Sequence, residues 1–470
     1  MALKDKRKKL IDYIASHDQY LKNNHELFLI HEGQIRPFVA KVMQESLSPQ
    51  YYKQIKKRIL DINIIPKFIE KVSQVYSTDP MRTTYPESFH EITEEYEQAL
   101  DINVNGMLAD KWANLFKGFA WEIFLHKGTP RLRALPFDRF LVYTEDQVDP
   151  LSEDIFIKFL GKRTIEVQGR QVEKEVFFAY SNTEFDAFTQ DGDSYVTDEI
   201  LETEGVNPYG VIPFVYGNRS YTDLIPIQDT DMRTMAVQPA VGFSDLAGVS
   251  LFQCFSIVYG IDVVPENITM SPNSFWNIKS DDKTIKNATI GTIKPEADID
   301  QVMRFYTAMI SLWLETKGAR VGSIGSVDAD NAQNGISKII DEMDTYKIVK
   351  KSINFFKKDE KELWEKIKVI NNYWVQQGMV DTQVFKLLPN DFYVETIFDE
   401  PMPIKSLSEK IAESKAELEL GTTTLDIEIK KLHPDYDDDT VEKIMGENNT
   451  EIIMNDNQGE DDGQSAEGNN

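Results

Sequence analysis

The chain has 470 residues, 41% of them hydrophobic, with a formal net charge of −27 and one cysteine. That hydrophobic fraction excludes a chain disordered over most of its length, and one cysteine excludes an intrachain disulfide. The acidic balance disfavours a nucleic-acid coat, which presents basic surface to phosphates, but does not exclude a protein that lets DNA slide past.

The N-terminal "MALKDKRKKLIDYIASHDQY" is basic and no apolar signal core follows it, so secretion is not expected and a reducing cytosol is the natural assembly site. Residues 1–75 carry apolar positions at three- and four-residue spacing, as at Ile55, Ile59 and Ile62, and predict helices. Pro66 can open one of them, since proline is tolerated in a first turn. Residues 104–127 read as another amphipathic helix, with Leu108, Trp112, Leu115, Phe116, Phe119 and Ile123 on its stripe.

The hydrophobic period then falls to two. "RFLVYT", "IFIKFL", "RTIEVQ" and "EKEVFFAY" predict short strands, and Gly169 marks a hairpin between the last two. "NPYGVIPFVYGNRS" (207–220) predicts a turn-rich strand connection. Helix returns over 229–260, with a kink or break expected at Pro239. The most membrane-like stretch, 246–264, carries Gln253 and Asp262, and reads as a packed helix running into a strand. Cys254 within it reads as a small buried hydrophobe.

A β-leaning island occupies 261–295. A short helix follows that Asp298 or Asp300 can cap and Gly318 can end, with Ile299, Val302, Met303, Tyr306, Met309, Ile310 and Trp313 on one stripe. After the glycine-rich "GARVGSIGSVDADNAQNG" (318–335) comes a long run without Gly or Pro, predicted as one helix of roughly 60 Å at 1.5 Å per residue. Its charges read as a solvated face. Residues 402–446 predict further helix split by Gly421, and the acidic, patternless stretch from Glu447 predicts disorder.

Catalytic motifs are missing where they would be expected. The glycine-rich loop lacks the Gly-Lys-Ser/Thr end of a phosphate-binding loop, since Ser326 and Val327 follow Gly325. It also follows a helix where a dinucleotide fingerprint follows a strand. His17, His25, His31, His90, His126 and His433 do not fall at metal-ligand spacing, so no metal and no cofactor is expected. "PDYDDDTVE" (434–442) reads as a solvated acidic turn rather than a cation loop. "TEFDAFTQDGDS" (183–194) reads as solvated carboxylates rather than an acid–base pair. An enzyme is therefore not expected.

The order of parts carries more information than any motif. A helical start, a β-rich segment, a helix, a small β island, a helix, a glycine loop, a very long helix and C-terminal helices follow one another. This resembles the portal proteins of tailed bacteriophages. Local stretches are similar too: "IIPKFIEKVSQVYSTDP", "RALPFDRFLVYTED", "NPYGVIPFVYGNRSYTDLIPIQDTDM", "NAQNGISKIIDEMDTYKIVKKSINFF" and "EKIAESKAELELGTTTLDIEIKKLHPDYDDD". The match covers roughly residues 50–445. It departs from the family at Gln333-Asn334-Gly335, where Ser-Gly is commoner.

The resemblance implies an α+β, mainly α fold with wing, stem, clip and crown, assembled as a ring. It implies a wing over 1–228 and 336–400, stem helices at 229–260 and 299–318, a clip at 261–298, a tunnel loop at 319–335, crown helices at 401–446 and an acidic tail at 447–470. The implied function is a head-to-tail connector: a homododecameric channel at one capsid vertex of the virion, assembled in the host cytoplasm, through which double-stranded DNA is packaged and ejected. Implied partners are the terminase motor, the major capsid and scaffold proteins and a head–tail adaptor, with no membrane. The channel-facing candidates are Lys317, Arg320, Ser323, Ser326 and Asp328, continuing to Asp330, Asn331, Gln333 and Asn334. Lys317 and Arg320 are candidates for weak phosphate contacts; the plainer reading is a pair of cations completing a helix C-terminus. Asn273, Phe275, Trp276, Lys279, Lys283 and Lys286 are the clip candidates for partner binding. The alternatives are a helical scaffold or minor virion protein without a channel, and a carboxylate-based hydrolase.

Overall fold

Prolines in first turns set the helical N-terminal part. The computed structural model describes residues 2–146, 148–167, 170–196, 204–220, 222–254, 257–261, 276–278, 289–293, 299–319, 335–399 and isolated positions between 414 and 429. Helices α1 (Leu3–Ser16), α2 (Asp18–His31), α3 (Arg36–Ser46), α4 (Pro49–Ile55) and α5 (Ile65–Val72) occupy the first stretch. The last three each carry a proline in the opening turn, where the missing N–H has no partner to lose. Pro66 opens α5 as expected. Ile55 and Ile59 are buried, but the helix stops short of Ile62, which is exposed.

Strand β1 (Met81–Tyr85) leads to α6 (His90–Leu100) and α7 (Ile102–Phe116), which are separated by Asp101 in a left-handed conformation. The helix expected over 104–127 does not continue. Lys117 turns the chain with φ 63°, and β2 (Gly118–His126) begins. A Cβ at Gly118 would lie 2.9 Å from the Phe137 ring, so the turn needs glycine there. The first six residues of β2 are all buried. A strand covered on both faces reads as a continuous apolar run, which is why its pattern resembled a helix.

β2 is central in an antiparallel three-stranded sheet, between β3 (Thr129–Pro136) and β8 (Phe214–Asn218). A four-stranded antiparallel sheet follows sequence order: β4 (Phe140–Tyr143), β5 (Ile155–Val167), β6 (Arg170–Tyr180) and β7 (Phe185–Thr189). Two of the predicted runs are one strand, β5, which carries a register shift between Phe159 and Gly161; Gly161 has φ 73°. The hairpin expected at Gly169 is seen in the pairing of Val167 with Arg170.

Helix α8 (Thr230–Cys254) runs through Pro239 without a break in its span. It ends earlier than expected, because 257–261 is a strand. Strands β9 (Ile257–Ile261), β10 (Trp276–Ile278) and β11 (Thr289–Ile293) form a sheet ordered β10-β9-β11, so the β island is present and starts before residue 261. Helix α9 (Ile299–Thr316) and helix α10 (Gly335–Gln376, 42 residues) follow, and β12 (Tyr393–Ile397) pairs antiparallel with β1. The architecture is mixed α and β with open sheets, and helical residues outnumber strand residues. Among the described residues no helix is long and apolar enough to cross a membrane.

The chain divides into two units, Met1–Asp328 with Asp344–Pro401, and Ala329–Met343 with Met402–Asn470. In the second, helical positions lie on either side of Gly421, whose φ is 68°. The segments 434–442 and 447–470 and the Cys254 side chain lie outside the described residues.

The core of the first unit is aromatic. Phe119 stacks on Phe356 of α10 at 5.4 Å, and Phe156 stacks on Phe214 at 4.0 Å, which joins the four-stranded sheet to the three-stranded one. The carboxylates of 183–194 are not all solvated. Asp186 is buried and accepts two hydrogen bonds from Arg7 of α1, at 2.6 and 2.7 Å. Glu184 accepts the Leu3 N–H, and Lys174 pairs with Asp191 and Asp193.

The charges of α10 are not all solvated either. Glu360 is fully buried and accepts from Arg82 Nε (3.0 Å) and Nη2 (2.7 Å), from Tyr76 Oη (2.8 Å) and from Thr396 Oγ1 (2.6 Å). Arg82 also donates to Asn103 and Glu97. One residue earlier, Asp359 is buried with Oδ2 4.0 Å from Arg219 Nη1. Burial pushes the Asp359 carboxyl up to about 7 despite the nearby guanidinium. Burial likewise pushes Asp110 up to about 6, against the hydrogen bond it accepts from Val75 N–H.

Two outcomes follow from these buried groups. Glu360→Ala strands a buried guanidinium and is expected to lower unfolding free energy by about 3–5 kcal/mol, whereas the double change Arg82→Met with Glu360→Met costs much less; denaturant unfolding of both variants checks this. A carboxyl whose pKa is raised by folding adds stability that is full below its unfolded pKa and is lost as pH rises through the folded value. Asp359→Asn is therefore expected to flatten the loss of stability between pH 5 and 8, by on the order of 1–3 kcal/mol at pH 8 relative to wild type. Thermal melts of both proteins across that range measure it.

Candidate functional site

The sequence "QDTDM" places two carboxylates at the start of α8, where an exposed helix N-terminus favours negative charge. The same logic places Lys317 at the end of α9. The fold brings the two ends together. Lys317 Nζ donates to Asp229 Oδ2 at 3.0 Å and to Asp231 Oδ1 at 3.1 Å. Lys117, from the turn after α7, donates to the other oxygen of Asp229 at 3.1 Å. Trp313 Nε1 donates to Asp231 Oδ2 at 2.9 Å. Burial works to raise the Asp229 carboxyl, but the bonds from Lys317 and Lys117 outweigh it and hold the group below its ordinary value.

These contacts fix the direction of the helix pair. Trp313 near the end of α9 meets Asp231 at the start of α8, and further along Tyr306 lies over Gly242, with Phe243 at 5.5 Å between ring centroids. The helices are antiparallel. A Cβ at Gly242 would fall 1.9 Å from Tyr306 Cζ, so this crossing depends on glycine. The antiparallel pair is joined in sequence by the β9–β11 sheet.

At the other end, α9 closes with a Gly318 cap. Gly318 has φ 71°, its N–H donates to Glu315 O, and Ala319 N–H reaches back to Leu314 O at 2.8 Å. Ala319 is fully buried. The glycine-rich segment therefore leaves from an anchored base. A hollow of about 500 Å³ opens beside this base, lined by Lys117, Arg219, Lys317 and Lys351 with Asn114 and Ser352. Among the described residues, Asp229 is the one carboxylate in its lining. Arg219 is held there by stacking over Phe355 and Phe356 at 4.6 and 4.3 Å. Lys317 is also paired with Asp231 and Arg219 lies 4.0 Å from Asp359, so Lys351 and Lys117 supply most of the hollow's surplus of positive charge.

Of the expected channel-facing residues, Lys317 is described and its ammonium is committed to Asp229 and Asp231. Arg320, Ser323, Ser326, Asp328, Asp330, Asn331, Gln333 and Asn334 lie outside the described residues. So do Asn273, Phe275, Lys279, Lys283 and Lys286. Trp276 begins β10, paired with Tyr259 in a parallel register. The sequence reading missed Lys117, Asp229 and Asp231 as a set. Their only signal was an acidic helix start and a basic helix end, with nothing to say that they meet.

Among the described residues, no group of three or more His, Cys, Asp or Glu side chains is placed to hold a metal ion. Comparison with models of protein families and with curated proteins finds no match to this chain.

The pair formed by Asp229 with the two lysines generates a pH-dependent outcome. A carboxyl held below its ordinary pKa adds stability that is present above the unfolded value of about 4 and is lost as pH falls through the folded value. Asp229→Asn is expected to lower stability by about 1–3 kcal/mol at pH 7, with the gap to wild type closing below pH 4. Urea unfolding at pH 7, 5 and 3 checks both the size and the sign.

Proposed function

We propose that this chain is the subunit of a portal: a ring at one vertex of a tailed-bacteriophage capsid, with a channel through which double-stranded DNA is packaged and later ejected. The observation that carries this reading is the order and geometry of the middle of the chain. An antiparallel helix pair, α8 and α9, is joined by a small sheet and followed by a glycine-rich segment and a helix of 42 residues. That is the order of stem, clip, stem, tunnel loop and long wing helix in the family the sequence resembles.

Physical chemistry supports the same reading. A closed ring needs two different lateral surfaces on each subunit. Helix α9 exposes Phe305 and Leu312, which share one side of the helix off the Tyr306 and Trp313 contacts with α8, a large apolar exposure for a helix in a monomer. The net charge of −27 suits a wall that repels phosphate over most of its surface. On this reading the terminase motor and the head–tail adaptor bind the β9–β11 end, and the capsid and scaffold proteins surround the wing.

Negative-stain microscopy of the purified protein tests the proposal. The expected particles are rings with a central hole and dodecameric symmetry. Monomers or rods at every protein concentration would remove it in favour of a helical scaffold without a channel.

A further inference from the structure

Among the described residues the β1–β12 ribbon has two strands and an open side. Its five residue pairs run in unbroken register, and β12 carries no proline, no lysine and no bulge; Glu395 is its one charge. Edge strands without such protection offer their free N–H and C=O groups to another strand. Two strands are also fewer than a sheet needs to be stable unaided. The outward face of the ribbon is apolar at its two ends, where Met81 is opposite Ile397 and Tyr85 is stacked on Tyr393, all four exposed, with the polar pair Thr83–Glu395 between them.

Beside β12 lies a groove of about 640 Å³, whose other wall is α10. Lys357, Lys361 and Glu365 line it at four-residue spacing, so they form one row along the helix, and Glu395 lines it from the strand. The three on the helix are exposed and carry no ion pair among the described residues. Trp364 also lines the groove; it is buried, and its indole N–H has no partner among the described residues. A buried donor left unpaired is costly, and an occupant bringing an acceptor would remove that cost.

The strand and the helix run along a common direction. Lys368 donates to the Phe392 carbonyl, and Thr396 donates to Glu360. Position 392 thus sits by 368 and position 396 by 360, so β12 runs antiparallel along α10. A helix rises about 6 Å over four residues, and a strand advances about 6.6 Å over two. Alternate side chains of a strand laid beside β12 therefore keep step with Lys357, Lys361 and Glu365.

We propose that this groove binds an extended segment of a partner protein as a third strand on β12, with two carboxylates at alternate positions facing Lys357 and Lys361 and a cationic side chain two residues further on facing Glu365. The backbone edge fixes the extended conformation and the row of charges fixes the side-chain pattern, so neither a helix nor a nucleic acid fits both. The proposal does not depend on the ring.

A display selection with random twelve-residue peptides against the full-length protein, followed by synthesis of the enriched consensus, tests it. The expected consensus has acid, acid and base at alternate positions, in either chain direction, and no proline. It should slow amide exchange at 393–397. It should bind Lys357→Glu/Lys361→Glu about tenfold or more weakly, because two charge-assisted contacts become repulsive. Trp364→Phe, which removes only the N–H, should weaken binding by a smaller factor. Failure to enrich any consensus, a consensus indifferent to the double variant, or unchanged exchange at 393–397 overturns the proposal. Concentration-dependent self-association that the double variant abolishes would also overturn it, by identifying the occupant as a second copy of this chain. Rings by microscopy with no such peptide site would leave the portal reading standing and this one refuted.

Discussion

A single buried ion pair organises the first unit. Arg82 and Glu360 are far apart in sequence, yet their side chains meet with no water access, and every strong donor around Glu360 is used. Such a pair contributes little net stability on its own, because removing two charges from water costs nearly what their attraction returns. Its value lies in what it forbids. Any other register of β12 against β1, or of α10 against either, leaves a charge buried and alone. Tyr76, Glu97, Asn103 and Thr396 complete the set, so six separate segments are fixed to one point.

Helix α10 is thereby a spine rather than a solvated rod. Phe356 packs against Phe119, and Tyr76 meets Phe356 edge-on at 5.2 Å. Trp364 and Trp374 are buried along the same helix. Lys366 donates to the Phe214 carbonyl and thereby joins α10 to β8 as well. The groove beside β12 is a consequence: the network that fixes Thr396 to Glu360 holds the strand along the helix and leaves its far edge open.

The parts of the fold that were legible in the sequence are those marked by local chemistry. Pro66 opening α5, Gly318 closing α9 and the pairing of Val167 with Arg170 follow from backbone rules that act within a few residues. The parts that were not legible depend on neighbours distant in the chain. Phe119 to Ile123 reads as a helical stripe until both faces of β2 are known to be covered. Glu360 reads as one more surface charge until Arg82 is placed against it. Lys317 shows the same limit at the candidate site. Its position at a helix end was readable, but Asp229 and Asp231 lie more than eighty residues earlier, and no periodicity connects them.

The clamp on Lys317 gives the glycine-rich segment a mechanical setting. Gly318 is in a left-handed cap, Ala319 is fully buried, and the next residues leave from that fixed point. The Lys317–Asp229–Lys117 contacts join the end of α9 to the start of α8 and to the turn after α7. These are charge-assisted bonds at a half-buried site, stronger than neutral ones yet able to exchange partners. If DNA passes by the segment as proposed, a phosphate entering the hollow lined by Lys117, Lys317 and Lys351 would compete with Asp229 for the same ammonium groups.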